Sequence, residues 1–422
     1  MKVFKFGGAS LREAQSFHNL FSIVSAESGR LIIVVSAIGK TTNLLESILK
    51  AYLNQSQELN QLVRVLRKQH FDLAEALFPA NHPVFTALSD LLARLEEDLQ
   101  QPSGTQYDYE YDRLVSYGEL LSSIIAVQFL SWKGLSVAWL DVRELIVSDE
   151  MHRDSTVRWT ETEANRPKID DLSAQIILTQ GFIAASPSGA TTTLGREGSD
   201  YSAAIIASLV QAESMTVWKD VAGIFTGDPA RYPAADLIPD LSYSEAMELS
   251  YYGAKVIHPK TIKPLQNKKI PLYVKSFLQA SNPGTCIHSK SELEVLPPIV
   301  IHKENQVLLS IVPHDYSFIR EKHLSTIFGI FADKRVTINV SENAALSFSV
   351  CVDNDSHRIP HLLEALKKDY SVRFNTDCEL LTIRHYSADT DGLNEFIKGK
   401  KILLEQRNRT TVRWVLKQGE KA

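Results

Sequence analysis

Apolar and polar positions follow two patterns along the chain. In the first, short apolar runs alternate with amphipathic stretches. VFKF (3–6), LIIVVSA (31–37), SVAWLDV (136–142), QIILTQGFIA (175–184), MTVWKDV (215–221) and PLYVKSF (271–277) read as strands. Several are nearly all apolar, as central strands covered on both faces must be. Strands separated by helical stretches predict an α/β domain, a mostly parallel sheet sandwiched by helices. After Thr42 the period turns helical: Leu44, Leu45, Ile48, Leu49, Tyr52 and Leu53 recur at three- and four-residue spacing, as do Leu59, Leu62, Val63 and Leu66. This predicts a helical insertion over about 42–134 that walls a cleft. Two further helices are predicted to open with an S-x-x-E capping box, Ser116 with Glu119 and Ser242 with Glu245, and to stop at Gly134 and Gly253.

The second pattern begins beyond SNPGTCI and a charged connector holding two prolines (289–298). Residues 299–422 mix short strands and helices as an α+β region, and the segments starting near 306 and 379 read as a weak repeat of a βαββ unit whose second copy stops short. The expected domains are therefore 1–292 and 299–422.

Composition narrows the partners. The 45 basic and 50 acidic residues leave a net charge of −5, so no basic excess exists to neutralise phosphates, and neither nucleic acid nor a membrane surface is expected as a partner. Cys286, Cys351 and Cys378 form no CxxC pair, which argues against a disulfide framework or zinc site and for a reducing compartment. With no basic-then-apolar leader and no apolar run read as long enough to span a bilayer, the expected location is cytoplasmic.

Four stretches could carry chemistry. KFGGAS places Lys5 at a strand end, followed by Gly7, Gly8 and Ser10 before a helix. Glycines let bare backbone approach a ligand, and a helix N-terminus favours an anion, so phosphate is the natural guest. A tight turn with Ser10 as helix cap and Lys5 on the surface is the alternative. In TTTLGREGSDYSAA, Arg196 suits a bidentate grip on a carboxylate, and Asp200 could orient a lysine or hold Mg²⁺ through water. Equally, Ser199 or Asp200 could simply cap the next helix. WKDVAGIFTGDPARYP puts Asp220, Asp228 and Arg231 in a loop after a strand, a normal ligand position in α/β folds. YYGAKVIHP supplies Lys255, or merely a cation at a helix end, with His258 read as structural. Gly39-Lys40-Thr41 mimics the end of a Walker A loop, but Val34 stands where its first glycine belongs, and a P-loop is rejected. No G-x-G-x-x-G opens a helix after a strand either.

Together, KFGGAS, SAIGKTTNLL, GELLS, TQGFIA, TTTLGREGSDYSAA, WKDVAGIFTGDP and YYGAKVIHP resemble, in order and spacing, the aspartate kinases of the amino-acid-kinase family over about residues 1–290. The final third is similar, more weakly, to the ACT-type regulatory modules of that family. The resemblance implies ATP-dependent phosphorylation of the β-carboxylate of L-aspartate, the first step toward lysine, threonine, methionine and diaminopimelate, with Mg²⁺ held mainly through the ATP phosphates. It implies Lys5 and Asp200 as catalytic residues, and Thr42, Glu119, Arg196, Gly198 and Ser199 around aspartate. Gly7, Gly8, Ser10, Lys219, Asp220, Phe225, Asp228, Arg231 and Lys255 fall on the phosphate and nucleotide side. A homodimer through the C-terminal region is expected.

Departures from the family pattern are Ala9 for a threonine, Glu197 where a small or neutral residue is commoner, Phe225 for a frequent tyrosine, and Arg231 one place late. IVPHDYSFIREKHL lacks the glycine-rich turn that precedes an ACT helix, so feedback inhibition by lysine or threonine is expected to be weak or absent. A carboxylate nucleophile is already ionised at neutral pH and needs no general base, which fits the absence of an evident catalytic His or Cys. Rival readings are a kinase for glutamate, N-acetylglutamate, UMP or carbamate, and a catalytically dead amino-acid sensor. Lys5→Ala is expected to lower turnover by orders of magnitude and leave the fold intact.

Overall fold

The computed structural model describes residues 1–101, 106–254, 257–289, 296–386 and 393–419, so the Lys255 assignment lies outside the described residues. The chain divides into two units. One comprises Met1–Ile224, Leu237–Met247 and Lys255–Ser291; the other comprises Phe225–Asp236, Glu248–Ala254 and Glu292–Ala422. The long segments part near the predicted connector. Two short stretches from the first part of the sequence, 225–236 and 248–254, are counted with the second unit.

The first unit is built on strands β1 (Lys2–Phe6), β2 (Leu31–Val35), β3 (Val137–Leu140), β4 (Ile176–Gln180), β5 (Ile183–Ala185), β6 (Thr191–Thr193), β7 (Ser214–Lys219), β8 (Asp240–Ser242), β9 (Leu272–Ser276) and β10 (Thr285–His288). Eight of them form one sheet in the order β8-β10-β9-β7-β1-β2-β4-β3, parallel except for the β9–β10 pair. All five residues of β2 and of β4 are buried, which explains the unbroken apolar run of β2 and the apolar start of β4, whose buried Gln180 is hydrogen-bonded to the Val142 amide and Ser123 Oγ. The predicted run 175–184 is two strands: the chain breaks at Gly181 and Phe182, the latter left-handed at φ 69°, and β5 turns away to pair with β6.

Helices α1 (Ala14–Ser25), α2 (Thr41–Leu53), α3 (Leu59–Leu77), α4 (Val84–Gln100), α5 (Tyr107–Val115), α6 (Tyr117–Trp132) and α7 (Gly198–Val210) belong to this unit. Helices α2 and α3 bury much of the apolar stripe read from their spacing, for example Leu45, Ile48 and Leu49 on α2, and α4 buries Leu88, Leu91, Leu92 and Leu95. The capping box at Ser116 does not form. Ser116 is itself helical (φ −56°, ψ −27°), its hydroxyl donates to the Arg113 carbonyl, and the helical path runs through it from α5 into α6. Glu119 is thereby released from the capping role the spacing suggested. The resulting stretch Tyr107–Trp132 is long and apolar enough to cross a membrane by composition, which the sequence reading overlooked. Here it is a core element, with Glu110, Asp112 and Glu119 buried along it. At the predicted box at Ser242, the Ser242 hydroxyl accepts from the Glu245 amide at the start of α8 (Tyr243–Tyr252), and Gly253 follows at φ 109°. His258 caps α9 (Pro259–Lys268) by accepting from the Lys260 amide, a structural role as expected.

The second unit holds β11 (Ile299–Pro313), α10 (Glu321–Asp333), β12 (Ile338–Asn343), β13 (Phe348–Asp353), α11 (Arg358–Leu366), β14 (Tyr370–Arg384), α12 (Leu393–Ile397), β15 (Lys400–Arg407) and β16 (Thr411–Gln418). Its sheet order is β12-β13-β11-β14-β16-β15, every pair antiparallel. The βαββ reading here extends to a closed βαββαβ unit, because α11 and the first half of β14 return to pair with β11. Val307, Leu309, Ile311, Ile327, Phe331, Val350, Leu362 and Leu366 form its core. Strand 379–386, read as opening a second repeat, is the far half of β14. It pairs with Ile299–Lys303 on one side and β16 on the other, so the shortened second module borrows its first strand from before the first one.

Candidate active site

The site assembles at the carboxyl ends of four neighbouring strands, β7, β1, β2 and β4, where loops leave an open α/β sheet. A cleft of about 540 Å³ opens there, lined by Lys5, Gly8, Ser36, Ala37, Gly39, Thr42, Tyr111, Glu119, Arg153, Phe182, Lys219 and the run Gly195–Asp200. After β1 the chain makes a 3-10 turn over Gly8–Leu11, and the Gly39 amide donates to the Gly8 carbonyl at 3.0 Å. A Cβ on Gly8 would lie 2.6 Å from the Ala37 carbonyl oxygen, so only glycine lets the β1 and β2 loops approach this closely.

Charge is concentrated on one triad. Lys5 Nζ lies 2.6 Å from Asp200 Oδ1, and Lys219 Nζ lies 3.6 Å from Asp200 Oδ2, with Lys5 and Asp200 both buried. Burial alone would raise the Asp200 pKa, but Lys5 and Lys219 outweigh it and hold the carboxyl below its ordinary value. Asp200 sits in the first turn of α7, where the helix dipole also favours a negative charge. It caps nothing, and neither does Ser199; the N-cap is Glu197, left-handed at φ 54°. Ser10 is not a side-chain cap either, since its hydroxyl donates to the Trp218 carbonyl.

Opposite charge lines another part of the cleft. Glu119 is buried and its Oε1 accepts from the Ala37 amide at 3.3 Å, while Oε2 has no hydrogen-bond partner among the described residues. Burial pushes its pKa up to about 8, with the Ala37 amide and Lys5 opposing the shift. A buried carboxylate with one oxygen unpartnered is a receptor for a cationic donor. Arg196 is exposed at the entrance and Thr42 stands in the first turn of α2. The cleft thus offers a cationic pocket for phosphate oxygens, an acid for an ammonium and an arginine for a carboxylate.

Of the residues expected at the site, Lys5, Gly8, Thr42, Glu119, Arg196, Gly198, Ser199, Asp200 and Lys219 line this one cleft. Gly7 and Ser10 flank it on the β1 loop. Asp220 is exposed just after β7. Phe225, Asp228 and Arg231 are counted with the second unit. There Arg231 pairs with Glu304 at 2.6 Å and approaches Glu379 at 3.8 Å, and Asp228 accepts from the Ala230 amide to shape its turn. Sequence reasoning missed Tyr111, Arg153, Phe182 and Glu197 as lining residues. Phe182 and Glu197 sat inside quoted motifs, whereas Tyr111 and Arg153 carried no local signal.

A profile of the amino acid kinase family matches residues 1–276. The lysine-sensitive aspartokinase 3 of Escherichia coli (strain K12) is 29% identical over 354 residues, covering 83% of this chain and 78% of that protein. A bifunctional aspartokinase/homoserine dehydrogenase of Buchnera aphidicola is 35% identical over 301 residues; this chain spans only 36% of its length. The crystal structure of E. coli aspartokinase III in complex with aspartate and ADP (R-state) superposes with a TM-score of 0.83 at 24% identity, over 99% of this chain and 96% of that one.

Proposed function

We propose that this chain, which belongs to the amino acid kinase family, is an aspartate kinase that transfers the γ-phosphoryl group of ATP to the β-carboxylate of L-aspartate. The observation that carries the reading is the coexistence, in one cleft, of the Lys5–Asp200–Lys219 cluster and a half-partnered buried Glu119. A ligand that satisfies both must present an anion and an ammonium a few bonds apart, as an amino acid with an acidic side chain does. The aspartokinase relatives and the fold shared with an aspartate- and ADP-bound enzyme support aspartate as that amino acid.

A β-carboxylate oxygen attacks the γ-phosphorus in line, the bond to the bridging oxygen breaks, and ADP leaves. Two anions must meet, so the barrier is electrostatic, and preorganised cations lower it. Lys5 holds the transferring phosphoryl group, and Asp200 fixes its ammonium and that of Lys219. Glu119 takes the α-ammonium and Arg196 the α-carboxylate, leaving the β-carboxylate directed toward Lys5. Mg²⁺, brought with ATP, would supply shielding of the phosphate charge. The Asp200 oxygens face Lys5 and Lys219, so this carboxylate is not a free metal ligand.

The second unit serves as an ACT-like region through which two copies associate, a reading supported by exposed Tyr316, Phe318, Phe328 and Leu346. Three cysteines outside any disulfide suit a reducing, cytoplasm-like compartment. The function is tested by ATP turnover with aspartate or glutamate as acceptor and hydroxylamine to trap the acyl phosphate. Aspartate-dependent hydroxamate is the expected product; turnover with glutamate alone, or none with either, overturns the reading.

A further inference from the structure

Arg153 is among the least expected residues in the cleft. It is left-handed, at φ 69°, a region that costs a residue with a side chain but not glycine. The strain is held in place from several directions. The wholly buried carboxylate of Asp112 accepts from the Arg153 amide at 3.0 Å, from His152 Nδ1 at 2.8 Å, from the Thr193 amide at 3.1 Å and from Thr193 Oγ1 at 2.6 Å. Asp149 Oδ1 closes the same loop by accepting from the amides of Met151 and Thr156. On the other side, Gly195 at φ 78° leaves room for Asp154: a Cβ there would come within 2.4 Å of Asp154 Oδ1. Segment 152–154 is therefore wedged between α5, β6 and the Gly195–Asp200 run.

The side chain is held as well. The Arg153 guanidinium lies over the Tyr111 ring at 4.6 Å and the Tyr107 ring at 5.5 Å, and Tyr111 is itself fixed by donating to Glu46 Oε1 at 3.1 Å. Its ion-pair partner is Asp108 at 3.2 Å, an exposed carboxylate of the kind that contributes little in water. A guanidinium stacked on aromatic rings keeps its N–H edge available while its rotamers are already restricted. Arg153 and Arg196 line the same cleft.

We propose that Arg153 is a second substrate-binding arginine, which joins Arg196 in gripping the α-carboxylate of the amino-acid substrate and makes the enzyme select a free α-carboxylate. This rests on the assignment of aspartate as acceptor. The strained backbone is the cost of delivering the guanidinium from a loop that a glycine would occupy more comfortably.

The test compares wild type with R153G, which suits the left-handed backbone, and R153K, on L-aspartate and on its α-amide. The readouts are hydroxamate formation and thermal melting. R153G should keep or raise the melting temperature, raise KM for aspartate about tenfold and lower kcat much less, the pattern of a lost ground-state contact. The preference for aspartate over its α-amide, as the ratio of kcat/KM, should fall about tenfold, and R153K should restore part of it. An unchanged preference, or equal losses on both substrates with a lower melting temperature, overturns the proposal and leaves Arg153 a structural residue. Absence of any aspartate-dependent hydroxamate in the wild type would instead refute the assigned function.

Discussion

The chemistry rests on a few buried charges, and their burial alters what single substitutions should do. Lys5 is paired with a buried carboxylate, so removing it strips Asp200 of its nearest cation among the described residues and leaves Lys219, at 3.6 Å. The substitution should therefore carry a stability cost beside the loss of turnover that the sequence reading expects. Lys5→Met should abolish most turnover and also cost about 3 kcal/mol of stability, the usual penalty for breaking a buried ion pair. The double variant with Asp200→Asn should recover most of that stability and none of the turnover, as urea unfolding and product assays would show. Glu119 offers a second test. Its carboxyl titrates near 8 in the folded protein and near 4.5 when unfolded. Between those values the folded state holds a proton that the unfolded chain has lost, so this group's contribution falls as pH rises from 4.5 to 8 and is level above. An ammonium bound against it drives it to ionise. Aspartate binding at pH 7 should therefore release close to one proton, measured by calorimetry in buffers of different ionisation enthalpy, and Glu119→Gln should abolish the release. The pairing of Lys5 with Asp200 and the presence of Arg196 in the same cleft were legible because they sit in glycine-bearing motifs at strand ends. The freedom of Glu119 was not, since its spacing from Ser116 imitates a capping box and only the three-dimensional path of α5 into α6 removes it. Arg153 lay beyond reach because its placement depends on Asp112, 41 residues earlier.

Among the elements, the sheet was easier to read than its connections. Runs such as LIIVV need burial on both faces, and their order along the chain implies parallel pairing. The split of 175–184 at Phe182 was hidden because Phe182, Ile183 and Ala184 continue apolar after the turn, and what bends it is the start of α7: Ser202 Oγ accepts from the Phe182 amide at 2.9 Å, and a Cβ on Gly181 would collide with Ser199. Similarly, β14 carries the chain from Tyr370 to Arg384 as one strand, and the passage between the ACT-like modules is marked by a register shift against β11, with Asn305 (φ 53°) and Asp377 (φ 57°) left-handed beside it. One side chain joins several elements of the first unit: Asp112 on α5 binds the 152–153 loop and β6. Asp112→Ala leaves four donors from three residues without their acceptor and should cost about 3 kcal/mol or more in chemical denaturation. By freeing the Arg153 loop, it should also raise KM for aspartate while Lys5 and Asp200 remain in place.

For the whole molecule, the question is what the second unit contributes. Its first module is a complete βαββαβ fold, but the turn from β11 to α10 contains no glycine; instead Asp315 accepts from the Ser317 amide and Ile319 donates to the Ala345 carbonyl. A turn built from side chains rather than bare backbone offers fewer free amides to an amino-acid effector. Saturating lysine or threonine should therefore change activity by less than about twofold, below the 5- to 150-fold of ordinary allosteric coupling, in a kinase assay at subsaturating aspartate. Strong inhibition by either would show that the shortened region still binds ligand. Above all of this stands the claim that one cleft joins a carboxylate to the γ-phosphoryl group of ATP. Aspartate labelled with ¹⁸O in its β-carboxylate tests it most directly: the acyl phosphate is trapped with hydroxylamine, which attacks the carbonyl carbon and releases phosphate. The account predicts one ¹⁸O in each phosphate released. Phosphate free of label would mean that water, not the β-carboxylate, accepts the phosphoryl group, and would contradict it.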